Sequence, residues 1–258
     1  MKFSLLFDDT ASSAHDRRRD ARRFLVYALL VILPIITYVN ILRNDFVWDD
    51  QYVIVDNPHI RHLDSIPGYF TSTKTQSSYD MKYYRPLRQI MFSLEYYLFG
   101  LQPAGYHLMS ILLHAANAVM VFIVLRLLSI STIPSFLVAV IHSIHPVHSE
   151  IVANITESAD ILFLFFYLLS IALTVKSVRV GNNSAYFAGA VAAYVLSLFA
   201  KEAAISLPLM AILVYLYLSR GSLRTLKSAI PRFVALALVT LAYWFLRTRA
   251  IGGIGQAD

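Results

Sequence analysis

Hydrophobic residues gather into seven runs, at approximately 24–42, 107–128, 133–145, 160–175, 185–200, 203–219 and 233–246, separated by polar or charged junctions. Crossing a hydrocarbon core about 30 Å thick takes roughly 20 helical residues, so each run is long enough, or nearly so, to predict a transmembrane helix. The third and fourth are short as bounded, and the segment 142–160, with its histidines and acids, is expected to contribute turns to both. The first run ends in Asn40, Arg43 and Asn44 rather than at a small-residue cleavage site, which predicts a retained anchor and not a signal peptide. Segment 43–106 is too long for a simple connector. Within it Leu87, Ile90, Met91, Leu94 and Leu98 recur at helical spacing, predicting an amphipathic helix from Pro86 to Phe99 at the membrane interface. The expected fold class is all-α: a polytopic membrane helix bundle of about seven spans, with a long outer loop that carries interfacial helices.

Composition supports this reading. Of 258 residues, 57% are hydrophobic and 15% charged, whereas a soluble domain carries roughly 25% charged residues. There is no cysteine, which excludes a disulfide scaffold, and the net charge of +6 is not concentrated on a soluble module, which argues against nucleic acid as a partner. The basic residues sort by side instead. With the N-terminus in the cytoplasm, that face collects the basic tail of residues 1–23 (Arg17, Arg18, Arg19, Arg22, Arg23), then Arg126, Lys176, Arg179, Arg220, Arg224, Lys227 and Arg232. The other face receives the 43–106 loop, the 145–160 connection, Lys201-Glu202 and the residues from Arg247, together with nearly all the acids beyond the tail. Residues 1–15 are expected to be a polar, poorly ordered tail, and 24–258 a single membrane domain.

Candidate chemistry lies on that outer face. Asp49 and Asp50, flanked by Phe46, Val47 and Trp48, sit just beyond a span, where a low-dielectric boundary can raise one carboxylate's pKa and make it a usable base. A helix cap or solvated turn is the plainer reading of an isolated Asp-Asp pair. Arg85, beside Pro86, suits bidentate contact with a phosphate. His145, His148 and Glu150 cluster at the end of the third run. A metal there needs a third ligand and an ordered outer shell, so a hydrogen-bonded cap or a donor-binding role is the expectation, with no assigned metal or cofactor. Glu157 and Asp160 open the fourth run one turn apart, where the helix dipole favours acids. Lys201-Glu202 interrupts an otherwise continuous apolar stretch, and ionisable residues near membrane depth are functional candidates. His107 and His114 lie seven apart on an apolar helix and read as packing histidines.

Taken in order, Phe46-Val47-Trp48-Asp49-Asp50, Asp56-Asn57-Pro58, Tyr84-Arg85-Pro86-Leu87, Gly105-Tyr106-His107, Leu113-His114-Ala115-Ala116-Asn117, His145-Pro146-Val147-His148-Ser149-Glu150 and Ala200-Lys201-Glu202 resemble the transmembrane and tetratricopeptide-repeat protein family, O-mannosyltransferases of the GT-C superfamily. The resemblance covers about residues 40–220. Two features depart from the family: Ser158 and Ala159 precede Asp160 where a basic residue is usual, and neither the repeats nor the later spans are in this sequence. The chain is therefore expected to be the front part of a longer protein, or a reduced form.

The resemblance implies a GT-C-like domain that moves mannose or a similar hexose from a polyprenyl- or dolichyl-phosphate donor to a hydroxyl acceptor, a polypeptide Ser or Thr, with inversion. Asp49 would act as base with Asp50 as its partner. Arg85 and Lys201 would stabilise the leaving phosphate, and Glu202, His145, His148 and Glu150 would line the donor site. The compartment follows from the source: the plasma membrane in a prokaryote, the endoplasmic reticulum in a eukaryote. Two other classes compete: a non-catalytic membrane scaffold, and a transporter or lipid flippase, whose essential charges would lie near the bilayer midplane.

Overall fold

The computed structural model describes residues 14–79 and 83–252, and every regular element among them is helical. All seven apolar runs form helices: α1 (Ala14–Tyr38), α3 (Pro103–Leu127), α4 (Thr132–Ile144), α6 (Ser158–Arg179), α7 (Ser184–Ala200), α8 (Leu207–Leu218) and α10 (Ile230–Ile251). Between them lie α2 (Pro86–Phe99), α5 (Ser149–Ala153) and α9 (Leu223–Ser228). Most of the expected unordered tail, residues 1–13, lies outside the described residues; Ala14 and His15 are already helical.

Four helical segments are long and apolar enough to cross a membrane: Asp20–Arg43, Pro103–Leu127, Ser158–Arg179 and Ile230–Ile251. The pair Thr132–Ile144 and Pro146–Ala153, bent by 45°, makes a fifth if it is one broken span. Seven is therefore not reached by length. The shortfall has a local cause: Lys201 is extended (φ −156°, ψ 140°) and cuts the apolar sequence into α7, at 17 residues only about 25 Å long, and the shorter α8.

The bundle centres on α6 and α7, where Ser170 Oγ donates to the Ala190 carbonyl (2.8 Å) and Ser197 Oγ to that of Phe163 (3.0 Å). Asn117 on α3 donates to the Ile161 carbonyl on α6 (2.8 Å), so polar side chains as well as apolar packing lock the helices together. Val175, Tyr194, Leu198, Leu207 and Val214 form the main core with Tyr84 of the outer loop. A separate core of Val53, Ile54, Ile60, Phe92 and Tyr106 binds the first half of that loop to α2 and α3.

The loop 43–106 is a folded cap. Short 3-10 and π turns run from Gln51 to Thr75 and end on α2. Gln76 joins the two halves: its side chain donates to the Tyr69 carbonyl (2.9 Å) and accepts from the Arg85 N–H (2.8 Å), while its carbonyl accepts from Gln89 Nε2 (2.6 Å). Helix α2 is amphipathic as expected, but its polar face is turned inward. Arg88, Gln89, Ser93 and Glu95 are buried with Phe92, whereas Leu94, Tyr97 and Leu98 are exposed. An apolar face turned outward suits a lipid boundary. Gly105 sets the α2–α3 corner: a Cβ there would lie 2.3–2.7 Å from the Phe99 side chain, so only glycine admits that ring.

Candidate functional site

The Asp-Asp pair divides into one fixed and one uncommitted carboxylate. Trp48 takes a left-handed conformation (φ 49°), uncommon for a bulky residue, where the chain turns so that Asp50 Oδ2 accepts the Val47 N–H (3.0 Å). Asp50 Oδ1 accepts the Thr156 N–H (2.8 Å) and the Thr156 hydroxyl, tying the loop to the segment that leads into α6. Asp50 is fully buried and both of its carboxylate oxygens are engaged. Asp49 is half-buried beside it, its carboxylate outside this set of bonds. The Asn154-Ile155-Thr156 sequon is part of the same tether, since Asn154 Oδ1 also accepts the Thr156 N–H (3.1 Å).

Tyr83-Tyr84-Arg85 forms the entry to α2. The Arg85 guanidinium stacks 4.7 Å from the Tyr83 ring centroid and makes a two-pronged contact with Glu202, through Nη2–Oε1 at 3.2 Å and Nε–Oε2 at 3.4 Å. The neighbouring Tyr84 packs edge-on against Phe199, and both meet Tyr243 at a tilt, with ring centroids 5.9–6.3 Å apart. Lys201 turns the other way. Its Nζ pairs with Asp160 Oδ2 and lies 3.8 Å from Glu157 Oε2. The two acids that open α6 thus serve as counter-ions to Lys201. Burial, and then the neighbouring Asp160, still raise the Glu157 carboxyl above its ordinary value, against the pull of Lys201.

The structure adds a residue that the sequence pattern did not single out. Arg88, one turn after Arg85, is 1% exposed, forms no salt bridge among the described residues, and its Nε has no protein acceptor. Burial and the adjacent Arg85 pull its pKa down to about 9, against Glu157, Glu202 and Asp49. The cue available in the sequence was a polar stripe on α2 of Arg88, Gln89, Ser93 and Glu95 that resembles an ordinary solvated face. Glu95 is also buried, and burial raises its carboxyl well above the usual range. Asp49, Arg85, Lys201 and Glu202 therefore share one electrostatic neighbourhood with Arg88, Glu157 and Asp160.

His145, His148 and Glu150 do not join this group by any direct ion pair. His148 instead packs with His142 (ring centroids 4.6 Å) and His114 (5.5 Å), with His145 at 6.4 Å. His114 is satisfied by the Ser143 carbonyl (3.2 Å), as a packing histidine should be, but its place in a histidine cluster was not apparent from its spacing to His107. His145 caps a short turn by accepting the Val147 N–H (3.2 Å), and Glu150 is exposed. Among the described residues no group of three or more His, Asp or Glu is arranged to hold a metal ion.

Comparison with known proteins finds several protein O-mannosyl-transferases among the relatives. The chain is 33% identical over 178 residues to Protein O-mannosyl-transferase F38B6.6 of Caenorhabditis elegans, covering 66% of this chain and 25% of that protein. It is 33% identical over 177 residues to Protein O-mannosyl-transferase TMTC4 of Homo sapiens (61% and 24%), and 31% identical over 184 residues to human Protein O-mannosyl-transferase TMTC1 (67% and 20%). The chain thus spans about a quarter or less of the length of these curated relatives. No family model matches the chain, and no solved structure does.

Proposed function

We propose that this chain, TMTC-like in sequence, carries the outer-face site of a membrane glycosyltransferase that moves a hexose, mannose in the first instance, from a polyprenyl- or dolichyl-phosphate donor to a polypeptide hydroxyl. In this reading α7 and α8 complete a seven-helix GT-C-like bundle. The observation that carries it is an uncommitted carboxylate, Asp49, in the same electrostatic neighbourhood as the buried Arg88 guanidinium, which forms no salt bridge among the described residues.

The chemistry follows from those groups. The acceptor oxygen attacks the anomeric carbon as its proton passes to the Asp49 carboxylate. The new C–O bond forms on the face opposite the departing phosphate, so the configuration inverts. The C1–O bond to phosphate breaks, and its electron pair stays on the phosphate oxygen, where developing charge is best met by preorganised cations. Asp50, held by Val47 and Thr156, positions Asp49. Arg85, Lys201 and Glu202 hold the donor side of the site in register through their ion pairs, and both bases stay close enough to meet a phosphate that displaces a carboxylate. His145, His148 and Glu150 line the approach for donor or acceptor.

The test is donor turnover by the purified full chain, reconstituted in lipid, with radiolabelled polyprenyl-phosphate mannose and a Ser/Thr peptide. Sugar release or transfer in the wild type, lost in D49N, is the expected result. Lipid flipping that survives D49N would identify a flippase instead. A scaffold, the reading favoured by the mutual neutralisation of Arg85–Glu202 and Lys201–Asp160, would show neither activity.

A further inference from the structure

Within the ion-pair cluster Arg85 already faces Glu202, and Lys201 already faces Asp160 and Glu157. An anion recruiting either base must first displace a carboxylate. Among the described residues Arg88 has no such partner, although it is 1% exposed. Its Nε has no protein acceptor, and Gln89 Oε1 on the next residue and Ser158 Oγ at the start of α6 are likewise buried without a hydrogen-bond partner. Buried polar atoms are nearly always satisfied, and a buried guanidinium without a counter-ion is the costliest kind of exception. The planar fork of an arginine matches two phosphate oxygens.

We propose that the Arg88 guanidinium is the anchor for a phosphate group bound in this site; resting on the glycosyl-transfer reading above, that group is the phosphate joining the sugar to its lipid. Of the three acids that act on Arg88, Glu202 lies within ion-pair distance of Arg85, and Glu157 lies 3.8 Å from Lys201, which it shares with Asp160; among the described residues Asp49 alone has no such base. In the transfer step a proton leaves the acceptor for Asp49 while negative charge gathers on the phosphate at Arg88. The two groups with free capacity are thus of the two signs the reaction creates.

The competing account makes Arg88 a structural counter-charge for the acids, and the two differ in what they predict. Full-length wild type, R88M and R88K in nanodiscs are titrated with polyprenyl monophosphate lacking any sugar and, separately, with inorganic phosphate, by intrinsic fluorescence and thermal midpoint. Donor turnover is measured in parallel. We expect wild type to bind polyprenyl monophosphate, R88M to bind at least tenfold more weakly with a midpoint no lower than wild type, and R88K to fall between them. Equal affinity in wild type and R88M, a midpoint that falls with affinity intact in either variant, or no binding by wild type overturns the proposal. Arg88-dependent binding without sugar turnover upholds the anchor and sinks the glycosyltransferase reading. Turnover that persists in R88M with an unchanged KM does the reverse. Binding of inorganic phosphate as tight as that of the prenyl form identifies a free anion as the ligand and overturns the lipid assignment.

Discussion

The carboxylate of Asp50 accepts from Val47 and from both the N–H and the hydroxyl of Thr156, so D50N turns one acceptor oxygen toward these groups into a donor. A buried donor left facing another donor costs about 1–3 kcal/mol. D50N should therefore lower the thermal midpoint and lose activity with it. D49N should leave the midpoint unchanged and cut donor turnover by about 10²–10⁴, the usual scale of a lost general base. Near-normal turnover in D49N would remove Asp49 from that role. Glu95 makes a pH prediction of definite sign. Its carboxyl is raised well above the ordinary value by burial, so the folded chain retains a proton that the unfolded chain has released. Stability then falls as pH rises from the ordinary carboxylate range toward the raised folded value. E95Q removes this term, so its midpoint should stay flat where that of the wild type declines; parallel curves would show that Glu95 is not the group responsible. None of these distinctions could be made from the sequence, where Asp49 and Asp50 are adjacent identical residues and Glu95 one acid among several.

At the scale of the element, α2 shows both what the sequence pattern contains and what it leaves open. Helical spacing of Leu87, Ile90, Met91, Leu94 and Leu98 defined the helix and its apolar stripe. Which stripe faces the protein depends on whether the medium beyond is water or lipid, and periodicity is the same in either case. Lipid exposure of Leu94 and Leu98 can be read directly, because the chain has no native cysteine to confound single-site labelling. Fluorophores on L94C and L98C should be quenched by spin-labelled lipid, and one on H62C, in the exposed part of the loop, should not. Equal quenching at all three sites would contradict the inward-facing polar stripe. The α2–α3 corner gives a second measurement. G105A forces a Cβ within 2.7 Å of the Phe99 Cβ, an overpacking that costs about 1–3 kcal/mol. F99A alone should also destabilise, while F99A/G105A should be less harmed than the sum of the two, a coupling that a double-mutant cycle reports. The bent α4–α5 pair and the short α7 and α8 were less legible, because a run of apolar residues fixes helicity but not the angle at which His145 or Lys201 breaks it.

For the molecule as a whole, the segregation of charge between the two ends of the bundle was the most legible property. Three of the basic residues expected on the cytoplasmic face are engaged at one end: Arg179 donates to the Ser129 hydroxyl, Arg126 to the Ile130 carbonyl and Arg232 to the Asn182 carbonyl. Asp50, Glu157, Asp160 and Glu202 lie with their partners at the other end. What could not be read was the pairing of distant residues, since Arg85 meets Glu202 across 117 positions and Asp50 meets Thr156 across 106. Those separations impose an order on biogenesis. The cap can close its first latch only after the start of α6 has left the ribosome and entered the membrane, and its second only after Glu202 has followed. A nascent chain halted between these points carries a folded helical anchor beneath a cap secured on one side, and the unsecured side should be cut by protease until the last latch forms. Any site built from these residues is therefore assembled only after Glu202 has emerged, when α1 to α7 have already been made.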